Sequence, residues 1–229
     1  MNVLRLAPAG RILVLDDTGW QYDAEIVSTR DDEVVCQVKS KSLVTTEPRT
    51  KITLYQGLLR SNKFELVLQK CTELGVAAFV PMITERCLIG NIEEVSASKT
   101  ERWKRIIREA AEQAGRGKLP VLRPAVLFQR ACEEVRGVSL IAWEFEKGKS
   151  FRNVLQEKLG GRDSSQWSMR PFTANILIGP EGGFSPEEIQ TARTYGIVPV
   201  GLGARILRAE TAAVVASTLL LHEAGDMDS

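Results

Sequence analysis

Near the C-terminus two short apolar runs each break into glycine and then into a helical pattern, and this pairing limits the folds open to the chain more than any other feature. The runs are Ile176-Leu-Ile-Gly-Pro-Glu-Gly-Gly-Phe-Ser185 and Val200-Gly-Leu-Gly-Ala-Arg-Ile-Leu-Arg-Ala-Glu-Thr211. A buried strand followed by a loop and a helix is the repeating unit of a parallel α/β sheet, and such sheets hold ligands at the carboxyl ends of their strands. Ala174 to Ile178 is too short and too apolar for anything but a central strand. Gly179, Gly182 and Gly183 then leave main-chain N–H groups open to close approach by a ligand. Ser185 reads as the cap of a helix starting at Pro186, with Glu188 completing a capping box. One such turn alone is better explained as a plain strand-to-helix connection. The second loop of the same kind points to a ligand.

The rest of the chain divides into two patterns. Over the first 46 residues, Arg11–Leu15, Trp20–Ser28 and Glu33–Val38 read as strands separated by turn chemistry, which suggests a small barrel-like module. Glu47–Thr50 reads as a linker or crossing segment. From Lys51 onward strands and helices alternate. A strand at Ile52–Gly57 precedes a helix over Lys63–Leu74, capped by Asn62 and ended by Gly75. A strand at Ala77–Met82 precedes a helix from Ser98 to about Ala114, with Glu101 reciprocating the cap and Gly115 ending it. Further buried runs lie at Val138–Trp143 and Ile197–Leu202, and a last helix spans Ala209–Ala224. This alternation predicts a parallel sheet with helices on both faces, interrupted by one long polar loop, Leu159–Arg170.

Composition narrows the function. Charged residues make up 26% and the net charge is +1, so bulk charge does not drive binding to nucleic acid. Residues 76 to 130 carry ten Lys or Arg against six Asp or Glu, a basic excess that suits either an RNA-facing patch or a solvated helix face. The single histidine, His222, excludes a Ser-His-Asp triad and a histidine-rich metal site. Cys36, Cys71, Cys87 and Cys132 are too scattered for a metal-binding pair and read as reduced and structural. No metal is expected. There is no membrane-length apolar stretch and no signal-peptide core, so a cytoplasmic location is the expectation.

The first loop lacks the Gly-Lys-Ser/Thr of a P-loop, and Gly201-Leu-Gly203 lacks the third glycine and the first-strand position of a dinucleotide fingerprint. Instead, Leu-Ile-Gly-Pro-Glu-Gly-Gly-Phe-Ser, then Leu-Gly-x-Arg-Ile-Leu-Arg-x-Glu-Thr-Ala, resembles the RsmE family of small-subunit ribosomal RNA uridine-N3 methyltransferases, of the SPOUT class. Lys63–Val76 and Glu112–Arg116 resemble the same family, and the match runs from about Val3 to the last helix.

The resemblance implies a knotted, S-adenosylmethionine-dependent SPOUT domain over 47-229, with a trefoil knot in its parallel sheet, and a PUA-like β-barrel RNA-binding domain over 1-46. It also implies a homodimer acting on 16S rRNA within the small ribosomal subunit. In the family the Val3–Leu6 segment follows an N-terminal strand and short helix, so the barrel is expected to be shortened here.

Carried over residue by residue, the resemblance assigns the cofactor pocket to Leu177, Ile178, Gly179, Pro180, Glu181, Gly182 and Gly183 from the first loop. Gly201, Leu202, Gly203, Ile206 and Leu207 come from the second, with Thr211 and Ala212 closing the pocket. Glu144, after a predicted strand, is either a third wall or a solvated loop carboxylate.

Methylating N3 requires loss of the imide proton and in-line attack on the methyl donor, so orientation and charge stabilisation carry the catalysis. Arg208 is the candidate for charge on the uracil oxygens, and Glu210 either accepts the proton or helps cap the last helix. Arg5, Lys63, Gln113 and Arg116 are the candidate RNA contacts, Arg116 having a second reading as a helix-terminal cation. Two other functions stay open: a non-catalytic RNA-binding or ribosome-assembly protein on the same fold, and a SPOUT enzyme with another RNA target.

Overall fold

Residue Ile176 of the predicted central strand is fully buried, and the strand around it has a parallel neighbour on either side. The computed structural model describes residues 7–30, 33–88, 92–158 and 172–227. The chain divides into two units, Met1–Glu47 with Ala111–Leu119, and Pro48–Ala110 with Pro120–Ser229.

The first unit holds an antiparallel three-stranded sheet of β1 (Arg11–Leu15), β2 (Trp20–Arg30) and β3 (Glu33–Leu43), in that order. The turn before β2 is made by Asp16. Its carboxylate accepts from the Thr18 main chain at 2.9 Å, the Thr18 hydroxyl at 2.7 Å and the Tyr22 hydroxyl at 3.0 Å. These bonds, led by Thr18, hold the Asp16 carboxyl down at about 2. β3 runs on to Leu43, past the predicted end at Val38. Its Lys39–Ser42 stretch carries no apolar alternation because β3 is exposed along nearly its whole length.

The second unit holds β4 (Lys51–Gly57), α1 (Ser61–Leu74), β5 (Ala78–Ile83), most of α2 (Ala97–Gln113), β6 (Val121–Leu122), β7 (Val126–Leu127), α3 (Phe128–Glu134) and β8 (Val138–Ala142). It continues with α4 (Phe151–Lys158), β9 (Thr173–Ile178), α5 (Pro186–Thr194), β10 (Val198–Val200) and α6 (Ala209–Glu223). Its seven strands form a parallel sheet in the order β10-β8-β9-β4-β5-β6, with β7 also paired to β5.

The twofold alternation of side chains along a strand sorts the core into two layers. Ala174, Ile176 and Ile178 of β9 face the layer containing α1, α4 and α6, with Trp103 and Ile107 of α2. Leu177 faces the other layer, with α3 and α5. Helices therefore cover both faces, as the alternation predicted. Burial pushes the thiols of Cys71 and Cys132 up to about 12, so both are core side chains.

Two helix starts differ from expectation. α1 begins at Ser61 with Arg60 as its unbonded cap rather than at Lys63 after Asn62, because the Arg60 carbonyl takes the N–H groups of Lys63 and Phe64. Ser96, not Ser98, caps α2: its hydroxyl accepts from Lys99 at 3.3 Å, while Glu101 pairs with Lys104 at 2.7 Å instead of reciprocating. Gly75 and Gly115 end their helices at φ 111° and 63° as predicted. The predicted polar loop Leu159–Arg170 lies outside the described residues.

Candidate methyl-donor site

The sheet order explains how distant loops meet. β8 lies between β10 and β9, so the chain leaving the carboxyl ends of all three strands converges at one end of the sheet. A cavity of about 270 Å³ opens there.

The first loop contributes Ile178, Gly179, Pro180, Glu181 and Gly183 to its wall. The loop is held from several sides. Gln56 donates to the Gly179 carbonyl at 3.2 Å, and Arg86 donates to the Gly182 carbonyl at 3.1 Å. Ser185 and Glu188 form the predicted capping box, at 3.2 and 3.0 Å, and the other Glu188 oxygen accepts from Glu85 N–H at 2.9 Å. Gly183 has φ 68°, and a side chain there would meet a Glu144 carboxylate oxygen at 2.6 Å. Burial pushes the Glu181 carboxyl up, but its own N–H, the Arg60 N–H and the Lys63 ammonium at 3.4 Å outweigh that and hold it below the usual range.

The second loop contributes Leu202, Gly203, Ile206 and Leu207. Glu144, after β8, forms the third wall, and the first turn of α6 adds Arg208, Glu210 and Ala212. Arg208 is exposed, and among the described residues its guanidinium has no hydrogen bond or ion pair. Glu210 is buried, and among the described residues its Oε2 has no hydrogen-bond partner. It is the acidic residue in the first turn of α6, whose N-cap Arg208 has no side-chain hydrogen bond.

Other predicted residues lie elsewhere. Leu177 is fully buried in the core, because alternation along β9 turns it away from the cavity lined by Ile178. Gly182 faces Arg86, Gly201 lines a neighbouring cleft, and Thr211 is exposed on α6 without lining the cavity. Lys63, expected to contact RNA, lines this cavity. In the other unit, Gln113 is exposed at the end of α2. Arg116 there is buried, and its guanidinium donates to both carboxylate oxygens of Glu47 at 3.1 and 2.9 Å. Arg5 lies outside the described residues.

Sequence reasoning missed Trp143 and Arg86. Trp143 lines the cavity with its Nε1 buried and unpartnered, but an aromatic residue at a strand end carries no local signal of a site. Arg205, within the Gly201–Leu207 stretch expected to line the pocket, does line the cavity. Among the described residues no cluster of three or more His, Cys, Asp or Glu is placed to hold a metal, and no helix is long and apolar enough to cross a membrane.

Residues 46–221 match the RNA methyltransferase domain family. Small-subunit ribosomal RNA methyltransferase E of Synechocystis is 35% identical over 94% of this chain and 67% of its own length. The Bacillus subtilis protein of the same name is 29% identical over 97% and 86%. Among solved structures, a Legionella pneumophila methyltransferase with bound S-adenosylmethionine superposes with a TM-score of 0.83 at 33% identity, covering 96% of this chain and 86% of that one. Methyltransferase E of Neisseria gonorrhoeae, also bound to S-adenosylmethionine, gives 0.83 at 28% identity with the same coverage. The chain belongs to the small-subunit ribosomal RNA methyltransferase E family.

Proposed function

We propose that this protein transfers a methyl group from S-adenosylmethionine to N3 of a uridine in 16S rRNA of the small ribosomal subunit. One observation carries the reading: an unpaired arginine and a buried carboxylate with an open oxygen share the wall of a cavity built from three adjacent strand ends. The residues fit the cofactor. Glu210 Oε2 and Trp143 Nε1 are buried polar atoms on the cavity residues with no hydrogen-bond partner among the described residues, and the glycines bring main-chain groups to the cavity surface. Gly179, Pro180, Gly183, Leu202, Gly203 and Leu207 would hold it, with Glu144 and Ala212 at the margins. When bound, S-adenosylmethionine supplies the electrophilic methyl.

The protein's own task is then to prepare the uracil. Arg208 offers a permanently charged, many-donor group to the carbonyl oxygens as negative charge grows on the ring. Glu210 takes the N3 proton, directly or through a water. The apolar wall of Ile178, Leu202 and Leu207 keeps bulk water away and strengthens both interactions.

The finer architecture is part of the same proposal: a trefoil-knotted SPOUT domain over residues 47–229, a PUA-like RNA-binding domain over residues 1–46, and a cytoplasmic homodimer. Lys63, Gln113 and Arg5 are assigned to RNA. Arg116, engaged by Glu47, organises the segment that carries exposed Lys118. The test is to incubate the protein with radiolabelled S-adenosylmethionine and with small subunits, large subunits or tRNA, each lacking its modifications. Label is expected in 16S rRNA alone; label in the other RNAs, or none, would overturn the assignment.

A further inference from the structure

Beside the cavity already described lies a second cleft of about 540 Å³, within the roughly 300–1,000 Å³ typical of small-ligand sites. Its walls are Glu146, Lys147, Lys149 and Ser150 from the chain after β8, with Gly201 and Ala204 opposite. Glu144 and Gly203 line both cavities, so the two share a wall.

The cleft is an ordered piece of structure. Gly201 N–H donates to the Lys149 carbonyl at 3.2 Å, and Ser150 and Gly201 form a parallel bridge. A side chain on Gly201 would strike the Glu146 carbonyl. The Glu146 charge is already committed, one oxygen accepting from Gly148 N–H at 2.9 Å and the other lying 3.7 Å from Arg193. Lys147 and Lys149 are exposed, and among the described residues neither side chain has a hydrogen bond or ion pair. Between Glu144 and Glu146, Phe145 is 66% exposed, its ring meeting Trp143 edge-on at 5.6 Å between centroids.

We propose that this second cleft receives the acceptor nucleotide of the RNA. Its phosphate lies on Lys147 and Lys149, exposed Phe145 stands beside the nucleotide, and the base edge passes the shared rim of Glu144 and Gly203 to reach Arg208 and Glu210 in the donor cavity. The inference rests on the methyltransferase reading, which requires an acceptor next to the donor cavity. An enzyme acting on a base edge takes that base out of its stack, and an exposed aromatic ring with uncommitted cations nearby is the chemistry that holds an unstacked nucleotide.

The test uses two surface variants: Lys147→Ala with Lys149→Ala, and Ala204→Trp, which fills the cleft from a residue that lines it alone. Both are expected to bind S-adenosylhomocysteine within twofold of the unchanged protein by calorimetry. The lysine variant is expected to raise KM for unmodified small subunits about tenfold and to reduce the salt slope by about 0.7 per lost phosphate contact. The tryptophan variant is expected to lower transfer at least tenfold. A 4-thiouridine oligoribonucleotide is expected to crosslink within residues 144–150 or 201–204. An unchanged KM and salt slope, a matching loss of S-adenosylhomocysteine affinity, or crosslinks only elsewhere would overturn the proposal. The crosslink reports on the cleft even if no methyl transfer occurs, so failure of the cleft and failure of the enzymatic reading are told apart.

Discussion

The two glycine loops enclose one cavity but are built in opposite ways. The first is tied down by a capping box, by Gln56 and Arg86 on two of its carbonyls, and by Lys63 and Arg60 on Glu181. In the second, no side chain from Leu202 to Arg208 forms a hydrogen bond or ion pair among the described residues, and Ile206 is 86% exposed. A fixed cradle costs no reorganisation when a ligand arrives, whereas a free arginine stays available for charge that appears only during reaction. On the proposed reading the first loop is the rigid part of the cradle, and the second, besides lining it, leads into the group that does the chemistry.

The largest test of that division is Arg208→Ala. Transfer should slow by about 10²–10³, the order of loss when a donor that stabilises transition-state charge is removed, with S-adenosylhomocysteine affinity unchanged in calorimetry. A parallel loss of affinity would move Arg208 into the cradle and erase the contrast.

Next comes Gly57→Ala, at the end of β4. Its new methyl would lie 2.6 Å from the Pro180 nitrogen, main chain that cannot easily yield. A destabilisation of about 1–3 kcal/mol is expected in denaturant unfolding, with weakened S-adenosylhomocysteine binding. An unaltered midpoint and affinity would show that the first loop is not rigid.

Ser185→Ala should cost about 1 kcal/mol by removing the cap on α5. Ala204→Ser in the exposed second loop should change stability by less than about 0.5 kcal/mol. Equal effects at the two positions would contradict the contrast.

A further small effect belongs to the partly exposed Glu181–Lys63 pair, at most about 1 kcal/mol. Because Glu181 titrates below its ordinary 4.5 when folded, its contribution is complete above that value. It is lost as pH falls through the lower folded value. The stability gap between the unchanged protein and Glu181→Gln, measured by urea unfolding, should therefore be present at pH 7 and close on acidification. A gap constant across that range would remove the ion pair as its cause.

Features carried by local chemistry were legible in the sequence. Ser185, Pro186 and Glu188 announce a helix start within four residues, and Gly75 and Gly115 announce helix ends. The apolar runs of β4, β5, β8 and β9 reveal a buried parallel sheet. Features set by distant pairing were hidden. Nothing local says that β10 lies beside β8 rather than β9, yet that order brings Glu144 and the second loop to one cavity. The short β6, β7, α3 and α4 carry too few residues for a period to emerge. The starts of α1 and α2 were misplaced because several polar residues compete there and the winner is chosen by main-chain geometry. Arg86 was invisible for the same reason: it acts on a carbonyl 96 residues away.

The central claim is most directly tested by mass-spectrometric mapping of 16S rRNA after incubating this protein and S-adenosylmethionine with small subunits lacking the modification. The account predicts a single new N3-methyluridine that appears only when the cofactor is present. Methylation at another atom or in another base, or no modified nucleoside at all, would contradict it.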